Sequence, residues 1–327
     1  MAFISDNRQQ ILEDNRTLSE VFSCVRKPSF STLAPLPSNV EAIEAGLLFS
    51  RKLQSFVSIC GPSGVGKSEI LAATKAHCED AALMSAEHYL NVRTRLSPRQ
   101  PLIIDDCQEL LGKPRRMVMF RSALDRRVRG GCPTMLSFTC DQAPKSGFVV
   151  IPQSKRWAKY GIEAPNFEER LQLIAHVAKQ EQMTISPVLS QLLAKWLGGT
   201  GRGILGALHR LKLEQTIWTN SRDCLRACGI LDAYFSGNPN WDLRYRVIKT
   251  SGACQPVFPT VNSDEMACYT LIRTAALCEH SVAQFLGDTP GNCYQRAAKF
   301  SDLRRTDPSV AQAHHQFVEL VLDRLLR

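Results

Sequence analysis

The chain has 327 residues, 44% of them hydrophobic, and a formal net charge of +9, enough for two or three modest domains with cores of their own. Its first residues, MAFISDNRQQILEDNR, mix acids and bases, and no apolar run reaches the length of a membrane span, so neither secretion nor membrane spanning is expected. Twelve cysteines are scattered without a C-x-x-C spacing, which argues against a disulfide scaffold or a zinc site and for reduced thiols in the cytoplasm.

In chain order, residues 40 to 54 have the apolar spacing of a helix, "SFVSIC" reads as a buried strand, and Lys67 to about His77 as a second helix. "PLIID" and "PTMLSFT" are further short apolar runs, each opened by proline. Strands alternating with helices predict a parallel sheet covered on both faces. After Pro165 only helical patterns follow, over 167–180, 187–197 and 202–218. A connector rich in Gly, Pro and Asn over 219–262 then leads into a last helical block from about Asp264.

The stretch "SFVSICGPSGVGKSEIL" fits G-x-x-x-x-G-K-[ST] at Gly61, Gly66, Lys67 and Ser68. In that pattern the loop Gly61, Pro62, Ser63, Gly64, Val65 and Gly66 turns backbone N–H groups toward phosphates. Lys67 meets the outer phosphates and the Ser68 hydroxyl binds magnesium. The loop follows a predicted strand and opens a predicted helix, whose N-terminus favours anions, a placement that an accidental glycine turn would lack. "LIIDDCQ" puts Asp105 and Asp106 at a strand end, where the first acid would hold magnesium through water and the second would polarise an attacking water. ATP and Mg2+ are the expected cofactors, and a slow, regulatory hydrolysis the expected reaction.

Further motifs resemble the DnaA replication initiators, AAA+ ATPases with a C-terminal helix-turn-helix. "LIIDDCQELLGKP" is similar to their magnesium-site strand, and "FSTLAPLPSN" to the segment before their nucleotide site. "FTCDQAP" resembles their first sensor, which implies that Thr139 lies beside the nucleotide. "IEAPNFEERLQLI" resembles the start of their helical lid, and "GRGILGALHRL" the lid helix whose arginine senses the nucleotide, here Arg202. This resemblance spans about residues 28 to 216. Where the initiators carry their finger motif, this chain has "PQSKRWAKYG", so that Arg156, or Lys155 as its rival, would act on a neighbouring subunit's nucleotide.

From Ala267 to Gly287 the chain can be laid on the start of the initiators' helix-turn-helix domain. "DTPGNCYQRAAKF" takes the position of the recognition helix, without the Asp-His-Thr triplet of that family. The resemblance thus implies an α/β fold class: a P-loop AAA+ parallel-sheet domain over 28–164 with a helical lid over 165–218. An N-terminal extension over 1–27 would precede it. The connector over 219–262 and an all-α helix-turn-helix-like DNA-binding domain over 263–327 would follow.

Between residues 113 and 160 eleven Lys and Arg stand against two Asp. In "KPRRMVMFRSALDRRVRGG" the spacing of Met117, Phe120 and Leu124 gives a helix a core face. The arginines then form either a solvated face, suited at its end to the helix dipole, or a phosphate contact with Arg126 and Arg127 as candidates. In the last block Thr289 can cap a helix with Pro290 at its first position, and Cys293, Ala297 and Phe300 would pack inward. Asn292, Gln295, Arg296 and Lys299 would then face a major groove, or else form the polar side of a surface helix. The seven histidines lack metal-ligand spacing and read as packing or surface residues.

The function expected is that of a DnaA-like AAA+ ATPase, cytoplasmic and nucleoid-associated. It would bind DNA and form a self-oligomer in an ATP-dependent way, in replication initiation or its regulation. A replicative helicase or a transposition protein is a candidate partner, and a membrane is not. Two alternatives stay open: a mobile-element ATPase for target selection or helicase loading, and a DNA-binding regulator that holds ATP without hydrolysing it.

Overall fold

A computed structural model describes residues 28–92, 96–97, 99–140, 151–254, 257 and 261–327. The extension over 1–27 and the sensor-motif residues from Asp141 to Pro144 lie outside the described residues. The helix α1 (Val40–Ser50) stops short of the expected residue 54, because Lys52 turns left-handed with φ 62°. Then β1 (Phe56–Gly61), α2 (Lys67–His77), β2 (Ala82–Ser85), α3 (Ala86–Val92), β3 (Leu102–Asp105), α4 (Pro114–Arg129), β4 (Thr134–Thr139) and β5 (Ala158–Gly161) follow. All five strands are parallel, in the order β2-β3-β4-β1-β5.

Side chains alternate across this sheet with the strand period of two. Phe56, Leu102, Ile104, Leu136 and Phe138 pack with Tyr89, Phe120 and Leu124 of α3 and α4 on one face. Val57, Ile59, Ile103 and Met135 pack with Phe49, Ile70 and Leu71 of α1 and α2 on the other. Each fully buried Leu, Ile or Phe there contributes about 1.5–3 kcal/mol. Both faces are therefore dry, and only the ends of the strands are left for chemistry.

The helix α5 (Phe167–Gln180) opens with a capping box between Asn166 and Glu169, each side chain accepting from the other's N–H at 2.9 Å. Glu169 also accepts from the Ser38 N–H at 2.7 Å, which ties the helix to the segment before α1. Burial works against ionisation of Glu169, but the N–H groups of Asn166 and Ser38 outweigh it and hold the carboxyl below its usual range. Next come β6 (Thr184–Ile185), α6 (Pro187–Trp196), α7 (Gly201–Lys212) and β7 (Ile217–Trp218). The helix expected over 202–218 thus ends at Lys212. Trp218 keeps the helical spacing of Leu208 and Leu211 yet reaches the core from a strand paired with Ile185.

The expected connector is largely helical: α8 (Ser221–Ile230), α9 (Asp232–Phe235) and α10 (Leu243–Cys254). Residues that read as loop formers serve as caps here. Asn220 accepts from the Asp223 N–H and Asp242 from the Tyr245 N–H, both at 2.9 Å. The helix α11 (Ser263–Tyr269) runs into a π turn over Thr270–Thr274, followed by α12 (Glu279–Leu286), α13 (Pro290–Thr306) and α14 (Pro308–Leu326). One continuous core runs from Ile174 through Trp218, Leu225 and Val247 to Leu325. Lys195 and Trp196 of α6 donate to the carbonyls of Leu326 and Leu325, at 2.8 and 2.9 Å. The end of the chain is thereby docked on the lid helices. No helix of the described residues is long and apolar enough to cross a membrane.

Cys60 of β1 and Cys140, just beyond β4, bring their sulfurs together with their Cα atoms 6.5 Å apart, while the other cysteines among the described residues are free. The strand register brings together residues 80 apart in sequence, and no local spacing could have shown it.

His314 of α14 is fully buried, its ring against Tyr269 and Phe300. The Thr270 hydroxyl donates to the Met266 carbonyl, so it accepts from His314 Nε2 at 3.1 Å. Burial and the charges of Arg304, Arg222 and His315 push the imidazole from its ordinary 6.5 down to about 3. The unfolded chain takes up this proton below about pH 6.5 and the folded chain does not. Stability therefore falls as the pH drops through this window, by about 2 kcal/mol between pH 6.5 and 5. Urea midpoints across that range should show the slope, and His314→Leu should flatten it.

Candidate nucleotide-binding site

The sheet delivers the loop of residues 61 to 66 at the C-terminal end of β1. Gly64 and Gly66 are left-handed, with φ of 78° and 99°, a backbone shape that other residues rarely adopt. That shape turns the chain directly into α2, and Ser68 lies exposed in its first turn. Lys67 is 5% exposed, and its ammonium donates to the carbonyls of Gly61 at 2.8 Å and Pro62 at 2.6 Å.

Parallel register fixes the neighbours of this loop. Gly61 pairs with Thr139, so the expected sensor residue stands beside the loop. Asp105 ends β3, one strand further out, and its Oδ1 accepts from the Ser137 hydroxyl of β4 and from the Asp106 N–H at 3.0 Å. Asp106 is itself left-handed, φ 54° and ψ 45°, a conformation that aspartate tolerates better than most residues. Gln108 then bridges the site: its Nε2 donates to Asp106 Oδ1 at 2.7 Å, and its Oε1 accepts from the Thr139 N–H at 2.9 Å. Sequence reading gave Gln108 and Ser137 no role. The signals were present: the glutamine stands within the acidic motif, and Ser137 is two residues before Thr139 on the same strand.

The lid closes the arrangement. Thr200 caps α7 by accepting from the Gly203 N–H at 3.2 Å, and the Arg202 N–H donates to the Gly64 carbonyl at 3.4 Å. A Cβ on Gly64 would stand 3.0 Å from Thr200 Cβ and 3.5 Å from Arg202 Cβ. The N-terminus of α7 thus rests on the glycine loop, and Arg202 is placed at its edge.

The other expected site residues lie elsewhere. Arg156 sits in a short turn before β5, where it donates to the Val128 carbonyl at 2.8 Å and lies 5.4 Å from the Phe56 ring centre. Phe56 begins β1, about 17 Å from Gly61 at ~3.3 Å per residue, so Arg156 cannot reach this chain's own loop. Arg127, expected among the DNA contacts, is turned inward. It is 8% exposed and donates to Thr134 Oγ1 at 3.0 Å and to the carbonyls of Gln100 at 2.6 Å and Pro133 at 3.1 Å. Its place in α4, one turn after Ala123 and Leu124, carries it inward, whereas Arg126 is exposed.

In α13, Thr289 caps the helix, and Cys293, Ala297 and Phe300 are fully buried. On the face expected to read bases, Asn292 and Arg296 bond to Asp288 at 2.8 and 3.0 Å, and Lys299 bonds to Glu265 at 2.6 Å. Gln295 is exposed. Three of these four side chains are therefore already engaged by carboxylates of the same chain.

Solved structures share this architecture. Domain III of the Thermotoga maritima replication initiation protein DnaA superposes with a TM-score of 0.52 at 17% identity, covering 64% of this chain and 97% of that one. A replication initiator DnaA bound to AMPPCP and single-stranded DNA gives 0.52 at 14% identity, with 90% of this chain and 98% of that chain covered. AMPPCP-bound DnaA from Aquifex aeolicus gives the same score and identity over the same shares. The chain has the DnaA-type AAA+ fold. No protein-family model matches the sequence, and no curated protein matches it. Within the DnaA-type fold, the glycine loop, Asp105 and Thr139 lie at the C-terminal ends of three adjacent strands, where open α/β sheets place their ligands.

Proposed function

We propose that this chain is a DnaA-like AAA+ ATPase that binds ATP with Mg2+ at residues 61–68. It hydrolyses the nucleotide slowly, assembles with copies of itself when ATP is bound, and binds DNA in replication initiation or its regulation, in the cytoplasm at the nucleoid. The observation that carries the reading is the seating of α7, with Arg202, on the glycine loop at Gly64, because it joins the two parts of a nucleotide sensor from distant parts of the sequence.

The residues present suit both cofactors. The Ser68 hydroxyl and the Asp105 carboxylate are the hard oxygen donors that magnesium prefers. Ser137 and the Asp106 N–H engage only Oδ1 of Asp105, and no hydrogen bond among the described residues engages Oδ2. Magnesium, when bound, offsets the charge of the outer phosphates. Lys67 exchanges the loop carbonyls for phosphate oxygens, which accept more strongly. Asp106, steadied by Gln108, orients the attacking water, and Arg202 meets the phosphates from the lid.

Arg156 acts in trans in this reading, since it stands at the far end of β1. Arg156→Ala should bind ATP as wild type does but fail to assemble, as read by light scattering after size exclusion in ATP and in ADP. Mixing it with Lys67→Ala should restore part of the ATP turnover, because one intact site then forms between the two chains. Turnover measured with and without DNA tests the enzyme reading itself: turnover that stays at background in both would leave ATP as a structural ligand only.

A further inference from the structure

A cluster of arginines without carboxylate partners among the described residues lies around Tyr269. Arg222 of α8, Arg273 of the π turn and Arg304 of α13 form no ion pair with a carboxylate among the described residues. Arg304 donates to the Tyr269 hydroxyl, with its guanidinium 5.6 Å from that ring centre. Arg273 lies 4.8 Å from the Tyr294 ring centre. Burial and the Arg304 charge hold the Arg222 guanidinium below its usual range. Tyr269 and Arg273 line a groove of about 430 Å³ together with Ala298, Ser301, Asp302 and Arg305, and Arg304 and Arg222 stand behind it at Tyr269.

The groove has a built wall on each side. On α13, Tyr294, Ala298, Ser301, Asp302 and Arg305 recur at helical spacing and form a stripe, roughly two-fifths of a turn away from Asn292, Arg296 and Lys299 at about 100° per residue. Facing it, Arg273 is carried by the five-residue π turn Thr270–Thr274, a rare geometry that is frequent at functional sites. Arg304 Nε is buried with no hydrogen-bond partner, a donor that a native protein seldom leaves unmade. Asp302 is the one carboxylate lining the groove. It is 77% exposed and stands 3.9 Å from Arg305, which is weak compensation for four arginines.

We propose that this groove, and not the Asn292–Lys299 face of the same helix, is the DNA-backbone site of the last helical block. Arg273 and Arg305 contact phosphates, and Arg222 and Arg304 add to the positive field beneath them. Tyr269, Tyr294 and Ser301 supply the ring faces and the hydroxyl that commonly accompany phosphate and sugar contacts. The face first expected to read bases is neutralised by Asp288 and Glu265, whereas this one is not. The proposal rests on the DNA-binding reading above.

The test uses the full chain and fluorescently labelled duplex and single-stranded DNA of scrambled sequence, with anisotropy measured across a salt series. Arg273→Ala with Arg305→Ala should weaken binding by about tenfold per arginine and flatten the slope of log affinity against log salt by about 1.8 for duplex, as two lost phosphate contacts require. The same pair changed to Lys should keep most of the slope. Asp302→Asn should bind DNA more tightly than wild type, a gain that misfolding cannot produce. Arg296→Ala should leave affinity for scrambled DNA nearly unchanged. If wild type binds DNA and neither the Ala pair nor Asp302→Asn changes affinity or slope, the groove is not the site. If wild type binds neither duplex nor single strand, the DNA-binding reading fails, and this proposal with it.

Discussion

Lys67→Ala should lower ATP affinity by at least ~100-fold, because charge-assisted hydrogen bonds to phosphate are worth about 1.5–3 kcal/mol each and the lysine supplies more than one. The ammonium is buried under the loop, at 2.8 and 2.6 Å from the carbonyls of Gly61 and Pro62. Its removal also leaves those carbonyls without that donor, and a thermal melt of the variant without nucleotide will measure this separate loss. Asp106→Asn is the companion variant. Asparagine tolerates the left-handed backbone at this position and keeps an oxygen for Gln108 Nε2, so ATP binding should be retained while turnover stops. Equal loss of binding in both variants would exchange the roles given to Asp105 and Asp106.

Gly229→Ala should destabilise the helical half of the molecule by about 3 kcal/mol, the upper range of overpacking in a filled core. Gly229 lies in α8 where the helix meets the end of the π turn. A Cβ there would stand 1.7 Å from the Ala275 carbonyl oxygen and 2.7 Å from its carbon. Backbone cannot rotate away as a side chain would, so α8 or the π turn must move. Gly252→Ala in α10 is the control, because a Cβ there meets nothing within 4 Å. It should be neutral or stabilise by up to about 1 kcal/mol through helix propensity. Urea midpoints of the two variants separate close approach from the general effect of adding a methyl group. Since Arg273 is carried by the same π turn, Gly229→Ala should also weaken DNA binding wherever it folds.

The three central strands of the sheet were legible in the sequence because period and punctuation agreed, whereas the edge strands β2 and β5 were not named. "SFVSIC", "PLIID" and "PTMLSFT" are short apolar runs, and their alternation onto two helical layers follows from parallel pairing. The helix α2 was legible to the residue because its start is set by Gly66 and the motif. The connector was misread because Asn and Asp serve equally as loop formers and as caps. Asn220 and Asp242 cap α8 and α10, and only the tertiary core shows which role applies. In the site, the residues proposed to meet phosphate were named by their motif, and Arg202 by its resemblance. Gln108 and Ser137 were not, since their roles depend on strand register that no local pattern encodes.

The same limit explains the charged residues. Arg127 stands beside Arg126 in a basic run, yet one points at Thr134 and the other at solvent. On α13 the helical wheel separated core from surface correctly, but it could not show that Asp288 and Glu265 fold back onto three of the four polar side chains. Charge counted along a sequence overstates what remains free in the fold.

In the proposed nucleotide site the glycine loop, the β3 acids and the α7 terminus act together. The most direct measurement is a calorimetric titration of ATP with Mg2+ into the full chain and into its Lys67→Ala and Arg202→Ala variants. Wild type should show one saturable site per chain, Arg202→Ala a weaker site, and Lys67→Ala no measurable heat of binding. An absence of saturable binding in wild type, or identical binding curves in all three chains, would contradict the proposed site.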